Sequence, residues 1–161
     1  MGPVTAPTAR AFLGDGSGFA SAQRAASYVG ITPSNWSSGT VSQPSWAITK
    51  EGPAVLRLAF FQAANAARRS DPQLAAFYYR LMTERGHGHT SATVAVARKL
   101  VERTWTVLRR GQPYQLRDLD GEVITERAAE ALIAARFTVA ADVRARTRAH
   151  SAATHRAKLT R

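Results

Sequence analysis

The sequence predicts an all-α fold, a helical bundle with one long Ser/Gly-rich loop. Three observations lead there. Apolar residues recur at helical spacing through most of the chain, as at Leu56, Phe60, Ala63 and Ala67, which share one face. No run alternates cleanly enough to be called a strand. Capping and breaking residues stand at the ends of the periodic segments, leaving a single long gap between Gly30 and Gly52.

The first element, TAPTARAFLG, reads as a short helix in which Pro7 is tolerated because it lies in the opening turn, and Gly14 closes it. DGSG is a turn. Ser21 is the N-cap of SAQRAASYVG and Gly30 its stop. After the gap, Pro53 takes the first helical position of PAVLRLAFFQAANAARR. Asp71 followed by Pro72 caps DPQLAAFYYRLMTERG, which ends at Gly86. A GHGHT turn leads into SATVAVARKLVERTWTVLRRG, where Val94, Ala97, Val101, Trp105 and Leu108 align, and Gly111 with Pro113 ends the segment. Two weaker helices, TERAAEALIAARF and VAADVRARTRAH, precede a polar basic tail. Phe60, Phe61, Tyr78, Tyr79 and Trp105, at helical spacing, are expected in the core rather than against bases.

Composition bounds the function. A chain of 161 residues makes one domain with room for an extension, long enough to bury a real core. The absence of cysteine excludes disulfides, thiolate metal sites and cysteine nucleophiles. The N-terminus has neither the positive charge nor the apolar run of a signal peptide, and arginines interrupt the longest apolar stretches, so no bilayer span is expected. The expected location is the cytoplasm, with no membrane partner. A formal charge of +11, from 22 Lys and Arg against 11 acids, favours nucleic acid or another polyanion. Residues 1–116 hold 13 basic groups and five acids, and the segment from Arg144 onward has six basic groups and no acid.

The gap, GITPSNWSSGTVSQPSWAITKEG, is near the upper length for an unstructured connection, and such loops are functional or disordered. It carries Ser37 and Ser38, and Gly39 would let the backbone approach a phosphate. Lys50 and Arg57 bracket the start of the next helix, whose amides could face an anion. Trp36 and Trp46 would stiffen the loop or stack on bases. A serine hydroxyl needs a base or a metal-bound oxygen to become a nucleophile. A phosphoryl centre needs cations or amide donors on its oxygens. Arg98 and Lys99 fit either a solvated charged helix face or contact with a nucleic-acid backbone. His87 and His89 would contact phosphate weakly when neutral and gain charge as pH falls. Read instead as metal ligands, they lack a third.

Taken in order, GPVTA with FLGD, A-x-Y-x-G-I-x-P, SSG, I-T-K-x-G, L-R-x-A, R-S-D-P-x-L-x-x-F-Y-x-R-L, V-A-V-A-R-K-L and L-x-x-G-x-P-Y resemble one family. It is the C-terminal, serine-bearing domain of insertion-sequence transposases of the IS110/IS116/IS902 group, the bridge-RNA-guided recombinases, and the resemblance covers residues 2–116. It implies a nucleophile before the loop glycine, Ser38 with Ser37 as the alternate, which attacks a DNA phosphodiester and becomes joined to the cut end. Gly39, Lys50, Arg57, Arg98, Lys99, His87 and His89 are then the expected phosphate- and nucleic-acid-binding residues.

The resemblance also implies a ribonuclease-H-like domain with a DEDD acidic site ahead of this region. The acids before Arg117 are scattered, so no metal site and no cofactor of its own is expected in this chain, and Mg²⁺ would enter through the acidic domain. Residues 1–20 would be a partial helix-hairpin-helix whose first half is gone, 21–116 the transposase helical domain, and 117–161 a basic helical extension. Implied partners are element ends and target DNA, a structured guide RNA, and a second copy or a full-length transposase. Leu58 stands where relatives often carry arginine, and His87 and His89 where they carry lysine, which weakens phosphate contact. Two other readings stay open: a non-catalytic nucleic-acid-binding fragment of a truncated transposase, and a degenerate product that only folds.

Overall fold

The computed structural model describes residues 2, 4–38 and 41–159, and of residues 33–38, 41–47, 151 and 154–159 only the backbone path. The described residues form seven helices: α1 (Thr5–Leu13), α2 (Ala22–Val29), α3 (Ala54–Ala67), α4 (Pro72–Thr83), α5 (His89–Arg110), α6 (Glu126–Arg136) and α7 (Ala141–Leu159). The all-α class holds for this scaffold.

The long loop is more ordered than the sequence suggested. Its backbone forms an antiparallel ribbon of β1 (Pro33–Ser38) and β2 (Val41–Ile48), with Ser38 opposite Val41, Ser37 opposite Ser42 and a register shift between Pro33 and Asn35. The absence of clean alternation misled because a two-stranded ribbon is not obliged to bury one face, and it is all edge, where Pro44 removes no ladder bond that a neighbour needs.

Local chemistry sets the helix ends. The Ser21 hydroxyl accepts from the Arg24 amide at 3.2 Å, and Asp71 Oδ1 accepts from the Leu74 amide at 3.0 Å with Pro72 at the first position of α4. Thr125 caps α6 in the same way, at 3.3 Å to the Ala128 amide. The basic segment after residue 150 is not a tail but the continuation of α7 to Leu159. It is alanine-rich and free of glycine and proline, so nothing in it stops a helix.

The chain divides into two compact units, residues 1–64 with 97–114, and residues 65–96 with 115–161. Helices α3 and α5 contribute to both. The first unit buries Leu13 of α1, Ala25, Ala26 and Val29 of α2, Leu56 and Phe60 of α3, and Val101 of α5. The second buries Leu74, Tyr78, Leu81 and Met82 of α4 with Ala92 and Val96 of α5, Ala129 of α6 and Val139. Of the expected core aromatics, Phe60 and Tyr78 are buried, whereas Phe61, Tyr79 and Trp105 are half-buried. Trp105 still satisfies its indole N–H, which donates to the Gly16 carbonyl at 3.0 Å.

Candidate nucleic-acid interface

The ribbon has a closed end and a base. Ser38 stands at the closed end as the last paired residue of β1, followed by Gly39, which lies outside the described residues, as do the side chains of Ser37, Ser38, Trp36 and Trp46. At the base, the Thr49 amide donates to the Thr32 carbonyl and the Lys50 amide to the Gly30 carbonyl, both at 3.1 Å. Lys50 adopts a left-handed φ of 57°, which costs a residue with a Cβ about 1–2 kcal/mol. Its side chain is exposed.

Three residues lock this base to the end of α2. Gly30 stops α2 with φ 74°. Gly52 runs so close beneath it that a Cβ there would collide with the Tyr28 carbonyl oxygen and lie 2.7 Å from the Val29 carbonyl carbon. Arg57, in the first turn of α3, reaches back with Nη1 and donates to the carbonyls of Gly52 at 3.0 Å and Val29 at 3.4 Å. The Val29 carbonyl is one of the unpaired groups at the negative end of α2, so a guanidinium there meets both a hydrogen-bond need and the helix dipole. Arg57, expected on phosphate, thus holds the chain's own backbone. Beside it an open groove is lined by Ser27, Tyr28, Glu51, Gly52 and Pro53. Tyr28 is 40% exposed, and its ring packs against Phe19 at 5.2 Å between centroids.

Arg98 and Lys99 share one acid. Arg98 Nε lies 3.3 Å from Glu102 Oε1 and Lys99 Nζ 3.0 Å from Oε2. Exposed pairs at this spacing contribute about 0.3–0.5 kcal/mol each, so a stronger anion could displace them. The trio keeps one net positive charge.

His87 and His89 have different surroundings. His87 Nδ1 pairs with the Ser91 hydroxyl at 3.1 Å. His89, the first residue of α5, turns Nδ1 to the Tyr78 hydroxyl at 2.8 Å, and Thr93 donates to the His89 carbonyl at 2.8 Å. In the neutral ring whose Nε2 carries the proton, Nδ1 accepts from the phenol; in the other tautomer Nδ1 donates to it. Arg68 lies over the Tyr78 ring with its guanidinium carbon 4.5 Å from the centroid. Partial burial, and then the charges of Arg68, Arg144 and Arg69, hold the His89 imidazole below its ordinary pKa. Burial likewise lowers that of Arg68.

Within the first unit, then, Lys50 and Arg57 meet at the ribbon base, and Arg98 and Lys99 gather on Glu102. In the second unit His89 joins a group that the sequence reading did not assemble: Arg68, Arg69, Arg144 and Tyr78. The only prior signal of it was the run of basic residues from Arg144 onward. Among the described residues no three His, Asp or Glu come together as metal ligands, and no helix is long and apolar enough to cross a membrane.

Residues 1–79 match the family described as Transposase IS116/IS110/IS902. Over 117 residues the chain is 34% identical to an uncharacterized 43.6 kDa protein of insertion element IS110 from Streptomyces coelicolor, a match covering 73% of this chain and 28% of that protein. It is 29% identical over 117 residues to the pilin gene-inverting protein of Moraxella lacunata, covering 73% of this chain and 36% of the relative. A 42 kDa protein of insertion element IS900 from Mycobacterium paratuberculosis is 34% identical over 96 residues, 60% of this chain and 24% of its own length. The chain therefore spans only about a quarter to a third of these relatives. With matches that run from the first helix through the ribbon and into α4 and α5, this chain belongs to the IS116/IS110/IS902 family of transposases.

Proposed function

We propose that this chain is a DNA strand-cleaving and rejoining domain in which Ser38 is the nucleophile. What supports this, beside the family, is one feature of the fold. Ser38 ends β1 at the closed end of a ribbon whose base is tied down by Gly52, Arg57 and the end of α2. A six-residue strand spans about 20 Å, so such a ribbon can carry a reactive group well away from the scaffold. The Ser38 oxygen would form a bond to phosphorus as a P–O bond of the strand breaks, and rejoining by a DNA hydroxyl would reverse it. Lys50, Arg98 and Lys99 would neutralise backbone phosphates, and the α1 start would add the contacts of a partial helix-hairpin-helix.

The described residues do not fit Mg²⁺, because no carboxylate cluster is present among them. In this reading a DEDD domain brings the metal and the base, from elsewhere in a longer protein or from another copy. A structured guide RNA and a homo-oligomer belong to the same proposal.

A second reading, compatible with the lack of a carboxylate cluster among the described residues, is a nucleic-acid-binding fragment without chemistry of its own. One experiment separates the two. The chain is mixed with element-junction DNA, its RNA, Mg²⁺ and a DEDD domain in trans, and a covalent protein–DNA adduct is sought on a denaturing gel. An adduct lost in Ser38→Ala and kept in Ser37→Ala supports the nucleophile. No adduct, with binding intact in every variant and an intact relative active alongside, supports the fragment.

A further inference from the structure

We propose that Arg68, Arg69, His89 and Arg144 form a subsite for the backbone phosphates of duplex DNA. The inference deepens the DNA-partner part of the proposed function and is independent of Ser38. It starts from a half-buried charge with only neutral partners among the described residues. Arg68 Nε donates to Asn65 Oδ1 at 2.9 Å, and its guanidinium lies on the Tyr78 ring. None of Arg68, Arg69 and Arg144 forms an ion pair with a described carboxylate. A guanidinium taken partly out of water without an anion is unfavourable unless an anion arrives with a ligand.

The arrangement converges from separate parts of the second unit. Arg68 and Arg69 follow the end of α3, Tyr78 stands on α4, His89 opens α5, and Arg144 lies in the first turn of α7. Arg69 follows Arg68 directly, and α7, which carries Arg144, packs against α4, which carries Tyr78. Arg69 and Arg144 act electrostatically on Arg68, and all three arginines act on His89. Tyr78, only 6% exposed, anchors two of them by ring contact and hydrogen bond, which fixes their positions before any ligand binds. Cations gathered in one unit, two of them held in place on Tyr78, suit closely spaced negative charges, as along a nucleic-acid backbone. Such contacts position a duplex without reading its sequence.

The test uses the exposed members, whose removal leaves the buried Tyr78 packing intact. The whole chain and its Arg69→Gln/Arg144→Gln variant are titrated with a fluorescent 30-base-pair duplex and an RNA hairpin of equal length across a salt series. Arg110→Gln/Arg127→Gln, also exposed, removes the same charge elsewhere. The subsite predicts that the first variant lowers the slope of log K against log salt by about two and duplex affinity about tenfold, with a smaller loss in the second. Equal losses in both variants would reduce the cluster to general charge and overturn the subsite alone. A loss confined to the RNA hairpin would reassign the cluster away from DNA. If the unaltered chain fails to bind the duplex, the DNA-partner reading falls together with this one.

Discussion

Arg57 and Arg68 are both half-buried arginines on or just after α3, yet their surroundings are opposites. Arg57 meets two backbone carbonyls, one of them at the negative end of α2. Arg68 meets a neutral amide, an aromatic face and other cations. The first arginine is satisfied by the fold and serves it. The second keeps an uncompensated charge, which suits it to a ligand. Burial alone does not separate a structural arginine from a binding one. The sign of its neighbours does.

The comparison can be broken at its strongest point first. Gly52→Ala puts a methyl group into the Tyr28 carbonyl, against backbone that cannot move without unseating α2. Overpacking of this kind costs about 3 kcal/mol, and denaturant unfolding should show it as a lower midpoint. A midpoint within error of the parent would mean the base is not locked.

Next in size is Arg57→Met, which removes two charge-assisted bonds and leaves the Gly52 and Val29 carbonyls short of a donor. The expected loss is about 2 kcal/mol. Arg68→Met should cost less than about 1 kcal/mol, since the lost ring contact and amide bond are offset by relief from Arg69 and Arg144. DNA titration should reverse the order, with the salt slope moved by Arg68→Met and unmoved by Arg57→Met. Equal behaviour of the two variants in both measurements would erase the distinction.

The smallest effect is in pH. His89 has a folded pKa below the 6.5 of a free imidazole, so in the interval beneath 6.5 the unfolded chain binds the proton more readily than the folded one. This histidine's stabilising share is therefore fully present above 6.5 and is lost as pH falls through the folded value. Thermal melts from neutral to mildly acid pH should show a decline that is shallower in His89→Gln. A steeper decline in the variant would contradict the cationic surroundings.

Much of the fold was legible along the chain because helix ends are local. A cap needs only its own amides, as at Ser21 and Asp71, which the sequence placed, and at Thr125, which it did not. Family motifs pointed in the same way to Lys50 and Arg57 around the start of α3, whereas the ribbon puts Ser38 at its opposite end. The ribbon was not legible from alternation, although Gly39–Thr40 between two short segments is the composition of a two-residue hairpin turn. Its strands are polar on alternate and adjacent positions alike, so the period of two was hidden.

What the sequence determined by itself, then, was the helical class, the boundaries of the first four helices, the excess of positive charge and the family. Each depends on neighbours in the chain or on simple sums over it. Only the tertiary structure decided what each arginine meets. Arg57 and Arg68 are the same residue type eleven positions apart on one amphipathic pattern. Whether a guanidinium meets a carbonyl or another guanidinium depends on groups as far along the chain as Val29 and Arg144, brought to it by folding. Electrostatic interaction falls with distance in space and takes no account of separation in sequence.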